Sequence, residues 1–307
     1  MYRNYPFTFV LIIMSVIFIF VTVQFLPLIP TEICIAGTYS AAGINFRKHR
    51  ESENHPVQSS VPVVAVSEIK EPSYAESALP VAIQNDSGLT VDINSLMSGY
   101  TPPERKTEPQ ILIVHTHATE SYIECDNRSL DSSKNMVAVG TALKESLEGY
   151  GFSVVHDPTY HDYPNYNGSY ANCLKTIESC IEKYPGINIV LDLHRDGIET
   201  EDGKKLAVKT EIDNVSYAQL MFVVGTDASG LYHPAWQDNL KFAAGLQKTL
   251  CGFSESLMRP INLRYERFNQ HLTKNSLIIE VGSNGNSLDE AIRSVKLLAK
   301  AMSLYIK

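Results

Sequence analysis

The sequence predicts an α/β protein: a single domain over about residues 109–307, built on a mixed, largely parallel sheet flanked by helices. Three observations carry this. The runs ILIVH (111–115), INIVLDLH (187–194) and SLIIEVG (276–282) are apolar and β-branched without polar alternation, as strands covered on both faces are. Segments with helical periodicity lie between the first two runs. The resulting order of strand, helix, strand, helix, strand favours parallel pairing through crossovers.

Taken in order, ILIVH opens into the polar stretch THATES. NMVAVGTALKESLEGYG follows as a helix, with Met136, Val139, Leu143 and Leu147 on one face and Gly149 or Gly151 ending it. SVVH (153–156) is a short strand. ANCLKTIESCIEKY places Leu174, Ile177, Ile181 and Tyr184 together, and Pro185-Gly186 stops that helix before INIVLDLH. LAVKTEI (206–212) and QLMFVVG (219–225) read as neighbouring strands, with antiparallel pairing one option. Pro234 starts a helix running to about Leu250; INLRYE is a further strand, and SLIIEVG the last. Ser287 and Glu290 form a capping box for a helix whose Ala291, Val295, Leu298 and Met302 face the core.

The N-terminal part differs. FTFVLIIMSVIFIFVTVQFLPLI is an uncharged run of about 23 residues, long enough to span a bilayer. Residues 1–30 therefore read as a cytoplasmic tip and transmembrane anchor, with the remainder extracytoplasmic. Residues 31–108, rich in Pro, Ser and Glu, lack sustained periodicity and read as a flexible stalk.

Composition narrows the function. The 307 residues carry a formal net charge of -8 and no long basic run, which argues against a nucleic-acid partner. Five cysteines without CxxC spacing give neither a zinc ribbon nor a disulfide framework. Cys173 and Cys180, seven apart on a helix, would lie about 10 Å from each other, too far for a bridge. Buried free thiols are the simpler reading. No GxSxG elbow, Walker loop or Rossmann glycine fingerprint appears.

Chemistry gathers at strand ends. His115, His117 and Glu120 follow the first strand in HTHATE, His194 closes the second in DLHRD, and Glu280 lies in IIEVG. Ligands collect at the carboxyl ends of parallel strands, and neighbouring ends are about 4.8 Å apart. His and carboxylate donors from such ends can converge on one ion, leaving a carboxylate to act as base. The two histidines of HTH share a face if the strand continues through them. A carboxylate within an apolar strand, as at Glu280, is costly unless it is paired, hydrogen-bonded or metal-bound.

The motifs HTHATESY, DLHRD, GTDASGLYHPAWQDNLKFA, RFNQHL and SLIIEVGSNGNSLDEA, in this order behind an anchor and stalk, resemble the stage II sporulation protein P family. Residues 110–307 carry the resemblance. It implies a zinc amidase-like fold and a zinc-dependent N-acetylmuramoyl-L-alanine amidase acting on peptidoglycan, with endopeptidase cleavage of cross-links also credited to the family. It further implies localisation at the forespore septum and engulfing membrane, with stage II sporulation proteins D and M as partners.

By motif position, His117 and His194 resemble the two ligand histidines and Glu280 the late catalytic glutamate. Glu120 is the choice for the carboxylate ligand. Amidases commonly carry that residue at the start of the next helix, where this chain has Asn135, so Glu120 and the division between His115 and His117 stay open. Zn2+ would activate water, and Glu280 would shuttle its proton to the leaving amine. Arg195 either grips a peptide carboxylate or pairs with Glu280. Asp196 would orient a ligand histidine from behind.

His233 precedes Pro234 and Trp236 at a helix N-terminus, where Trp236 either packs or stacks on a sugar or peptide. Asn269 and Gln270 bind substrate amides or brace a loop. Two other classes compete with this reading: a non-catalytic module that binds wall peptides or regulates another hydrolase, and a metallopeptidase with the same ligands.

Overall fold

The computed structural model describes residues 72–75, 77 and 79–307. The expected anchor and the expected stalk as far as residue 71 lie outside them. Among the described residues no helix is long and apolar enough to cross a membrane.

The chain opens with β1 (Ile83–Asn85) and α1 (Ile93–Met97), then β2 (Ile111–Val114), α2 (Met136–Gly149), β3 (Val154–His156), α3 (Ser169–Lys183) and β4 (Ile189–Asp196). A hairpin of β5 (Lys209–Ile212) and β6 (Val215–Ala218) precedes β7 (Leu220–Gly225), α4 (Trp236–Cys251), β8 (Ile261–Arg264), β9 (Asn275–Ser283) and α5 (Leu288–Tyr305).

Seven strands form one sheet in the order β1-β8-β7-β9-β4-β2-β3. β3, β2, β4 and β9 run parallel to one another. β7 joins β9 antiparallel, and β8 and β1 continue parallel to β7. The sheet is thus two parallel blocks of opposite direction, meeting between β7 and β9. This is the expected α/β architecture with a mixed sheet.

One face is sealed by α2, α4 and α5. Leu191 and Leu193 of β4, Ile279 and Val281 of β9, and Phe222 and Val224 of β7 all enter the large core there. The helix ends are fixed by side chains: Asn135 caps α2 through Val137 N, and Ser287 with Glu290 forms the expected capping box on α5. Cys125, Cys173, Cys180 and Cys251 are free, and Cys173 is buried.

Two expectations change. The stalk does not extend to residue 108. β1 pairs in register with β8, Ile83 opposite Ile261, and Val81, Leu89, Val91, Ile93, Leu96 and Met97 pack against the core. These apolar residues are too widely spaced for sustained periodicity, so tertiary contacts rather than local pattern order them. LAVKTEI also takes another partner: β5 pairs antiparallel with β6, in a separate two-stranded sheet. Asp213 and Asn214, with φ of 51° and 63°, form the tight turn between them.

Candidate active site

The strand-end residues divide where β2 stops. Strand pairing ends at Val114, so His115 and His117 do not alternate on a continuing strand. Thr116 is held by Asp192, which accepts from its backbone N at 2.8 Å and its Oγ1 at 2.6 Å. His115 turns towards α2, its Nε2 lying 2.8 Å from His156 Nε2. A Cβ at Gly140 would sit 2.6 Å from both of these nitrogens, so the helix closes on the pair. His115 is therefore engaged away from the other predicted donors.

His117 faces the opposite way. Its ring stacks on Tyr166 at 4.5 Å and meets the His194 ring edge-on at 5.3 Å. Its buried Nδ1 has no hydrogen-bond partner among the described residues and lies 4.0 Å from Asp162 Oδ2. Burial first, then the neighbouring His194, hold its imidazole neutral, with the pKa lowered to about 4.

Glu120 reaches the same place from the loop after β2. Its Oε2 lies 3.7 Å from His194 Nδ1 and accepts from Arg195 N at 3.1 Å. Its carbonyl accepts from Met136 N at 3.0 Å, and Ser121 bridges to Asn135. Glu120 is thus folded back beside the start of α2, while Asn135 caps that helix and donates through Nδ2 to Ser129 O and Tyr160 Oη. Burial raises its carboxyl above the usual range.

His194 and Glu280 stand opposite each other in the β4–β9 register. His194 Nε2 is 3.0 Å from Asp192 Oδ1. Burial opposes charge on this imidazole, but the carboxylates of Asp192, Glu120 and Glu280 outweigh it and raise the pKa to about 10. Glu280 Oε2 is buried without a hydrogen-bond partner among the described residues. Burial, reinforced by Glu120 and Asp196, pushes its carboxyl up to about 8 against the attraction of His194.

His117, Glu120, His194 and Glu280 therefore meet at one rim of the sheet, without His115. Among the described residues, no three His, Cys, Asp or Glu groups are close enough together to count as a preformed metal site. The donor chemistry, two imidazoles and a carboxylate, nevertheless suits a zinc ion.

The remaining predicted residues are engaged elsewhere. Arg195 donates through Nε to Ser121 O at 3.0 Å and through Nη2 to Asn127 O at 2.6 Å. It ties the 121–127 loop to β4 and does not pair with Glu280. Asp196 pairs with Arg259 at 2.8 Å and not with a histidine. Asp192 stands behind His194 instead. Strand alternation in DLH could have identified it, since residues two apart share a face.

Trp236, the first residue of α4, is buried in the main core and so is not a substrate platform. Asn269 donates to Tyr170 O at 2.8 Å, bracing the ring that stacks with His194 at 6.5 Å. Gln270 accepts from Gly225 N at 2.7 Å and donates to Val223 O at 2.8 Å, so it fastens its loop to β7. Asp162, Tyr166 and Tyr170 adjoin His117 from segments whose spacing gave no sign of it.

Residues 32–303 match the family described as Stage II sporulation protein P (SpoIIP). The chain is 24% identical over 292 residues to Stage II sporulation protein P of Bacillus subtilis (strain 168). That alignment takes in 89% of this chain and 65% of the relative, so the chain spans just under two thirds of the relative's length. Among solved structures, the catalytic domain of CwlV, an N-acetylmuramoyl-L-alanine amidase from Bacillus (Paenibacillus) polymyxa var. colistinus, superposes with a TM-score of 0.37. Its identity is 14%, over 64% of this chain and 97% of that one. The CwlD amidase from Clostridioides difficile, in complex with the GerS lipoprotein, gives 0.40 at 13% identity, over 63% and 94% of the two chains. Superpositions this loose carry no functional weight.

Proposed function

The chain belongs to the stage II sporulation protein P family, and from that premise we propose that it is a peptidoglycan hydrolase of sporulation that cleaves the N-acetylmuramoyl-L-alanine amide bond. One observation supports the chemistry above all: His117, Glu120, His194 and Glu280, from three separate segments, converge at the rim where β4 and β9 lie side by side.

His117, Glu120 and His194 would hold a zinc ion. The unpartnered His117 Nδ1 and the carboxylates gathered around His194 suit a cation at that point. The chemistry such an ion supplies when bound is polarisation of the scissile carbonyl and acidification of the attacking water. Asp192 Oδ1 stands 3.0 Å from His194 Nε2 as an ion-pair contact, and Nδ1 faces Glu120 Oε2 at 3.7 Å.

Glu280, whose buried carboxyl is pushed up to about 8, takes in its ionised form the proton from water and returns it to the departing amine nitrogen. Arg195 positions Glu120 through its backbone N–H and holds the flanking loop through its guanidinium. The same apparatus would serve endopeptidase cleavage of cross-links, since both bonds are amides. Anchoring through residues 1–30, work at the forespore septal membranes, and association with stage II sporulation proteins D and M complete the proposal.

The test measures zinc in the purified protein and digests peptidoglycan with wild type and Glu280→Gln. Release of stem peptides with a new L-alanine amino terminus, abolished in the variant, is the expected result. Split cross-links would instead indicate endopeptidase action. A second reading, a non-catalytic wall-binding module, is favoured by Asn135, which stands at the start of α2 where amidases commonly carry a ligand carboxylate. A folded protein that releases neither product would establish that module and sink the hydrolase.

A further inference from the structure

The sheet face bearing Asp192, His194 and Glu280 is covered unevenly. Over β2 and β4 it is closed by α3, with Leu112, Val114 and Val190 against Cys173 and Ile177. Over β9 and β7 its cover is reduced to Tyr170 and Phe268, lying on Met221, Val223 and Ile278. Alongside them a cleft of about 350 Å³ crosses the strands, starting at Glu280 and reaching Asn262 and Arg264 of β8 and Gln84 of β1.

Two buried acceptors among the cleft's residues have no hydrogen-bond partner among the described residues: Glu280 Oε2 and Asn262 Oδ1. An acceptor left in that state destabilises the empty cleft, and a ligand bearing N–H groups would offset this. Cations stand beside these acceptors. Arg264 is gripped by Glu266 through two contacts of 3.1 Å, and Arg259 by Asp196 at 2.8 Å. Arg264 is partly exposed and its guanidinium can be shared with an incoming carboxylate. Amide donors and free carboxylates occur together along a peptide, at spacings that a cleft crossing several strands can meet.

We infer that this cleft is the subsite for the peptide portion of the substrate, with Asn262 receiving a backbone N–H and Arg264 a free carboxylate. The inference rests on the hydrolase reading for its orientation. Glu280 hands its proton to the departing amine, so the amine-bearing fragment must lie on the Glu280 side. In muramoyl–alanine cleavage that fragment is the peptide. The opposite flank, where Tyr166 stacks on His117 and Arg128 lies over the Tyr166 ring while pairing with Asp162, is left for the glycan.

The test titrates the full chain calorimetrically with the tripeptide L-Ala-γ-D-Glu-meso-diaminopimelate and, separately, with the disaccharide N-acetylglucosaminyl-N-acetylmuramic acid. Wild type, Asn262→Ala and Arg264→Ala are compared, with KM and kcat on purified peptidoglycan measured beside them. Each variant is expected to weaken tripeptide binding about tenfold and to raise KM more than it lowers kcat, with disaccharide binding untouched. Unchanged tripeptide affinity in both variants, at unchanged unfolding midpoints, would overturn the subsite. So would loss of disaccharide binding in place of tripeptide binding, or a wild type that ignores the tripeptide. The two proposals fail separately. A wild type that digests no wall yet loses the tripeptide on Arg264→Ala sinks the hydrolase and keeps the subsite; full digestion with variant-insensitive tripeptide binding does the reverse.

Discussion

The two faces of the sheet at β7 and β9 are made by the same strands and treated in opposite ways. On one, Phe222, Val224, Ile279 and Val281 disappear under helices. On the other, one residue along, Met221, Val223 and Ile278 carry only two aromatic side chains, and Glu280 carries an unsatisfied oxygen. Stability is concentrated on the sealed face, and chemistry on the face where polar atoms lack partners. A strand's period of two lets a single segment serve both.

Substitutions should expose that division. Glu280→Gln is expected to lower peptidoglycan hydrolysis by about 10²–10⁴-fold while leaving the unfolding midpoint unchanged or higher, because a buried carboxylate has been removed. A midpoint that falls with activity would break the comparison. Phe222→Ala should cost about 3–5 kcal/mol in urea unfolding. Met221→Ala, next to it in sequence, should cost less, since only Tyr170 and Phe268 lie above it. Equal costs would show that the open face is packed after all.

Smaller effects sharpen the site itself. Asp192→Asn should reduce zinc affinity about 10–100-fold by metal titration, as loss of a ligand's orienting partner does. Asp196→Asn, whose carboxylate faces Arg259, should change it far less. The smallest effect concerns His233, just before α4, whose two buried ring nitrogens have no hydrogen-bond partner among the described residues. Burial, then the nearby His271 and Arg267, lower its pKa from 6.5 to about 4. The unfolded chain therefore binds the proton first. Its contribution to stability is complete above pH 6.5 and drains away as pH falls towards 4, at a slope below about 1.4 kcal/mol per pH unit. His233→Leu should flatten that part of the urea-midpoint profile.

The sequence disclosed whatever had a local period or a cap. β2, β4 and β9 were legible as unbroken apolar runs, α2 and α5 from their periodicity and caps, and His117, His194 and Glu280 from their places near strand ends. The reading faltered where geometry is made by tertiary contact. HTH looks like a strand continuing, but Asp192 turns the chain at Thr116 and sends the two imidazoles to opposite sides. Trp236 and Gln270 resemble substrate contacts in composition alone, and the core and β7 claim them. Asp162 and Tyr166 sit in a loop without periodicity, so nothing near them in the chain announced that they would border His117.

β1 gives the composition boundary at residue 108 a practical meaning. A protein trimmed to begin there would shed the strand that caps the sheet beside β8, leaving Ile261 and Leu263 with a bare hydrogen-bonding edge. It would also lose Gln84 from the far wall of the cleft. Shortened forms should therefore retain the segment from about residue 79, because what reads as tether is, from there onward, part of the domain's frame.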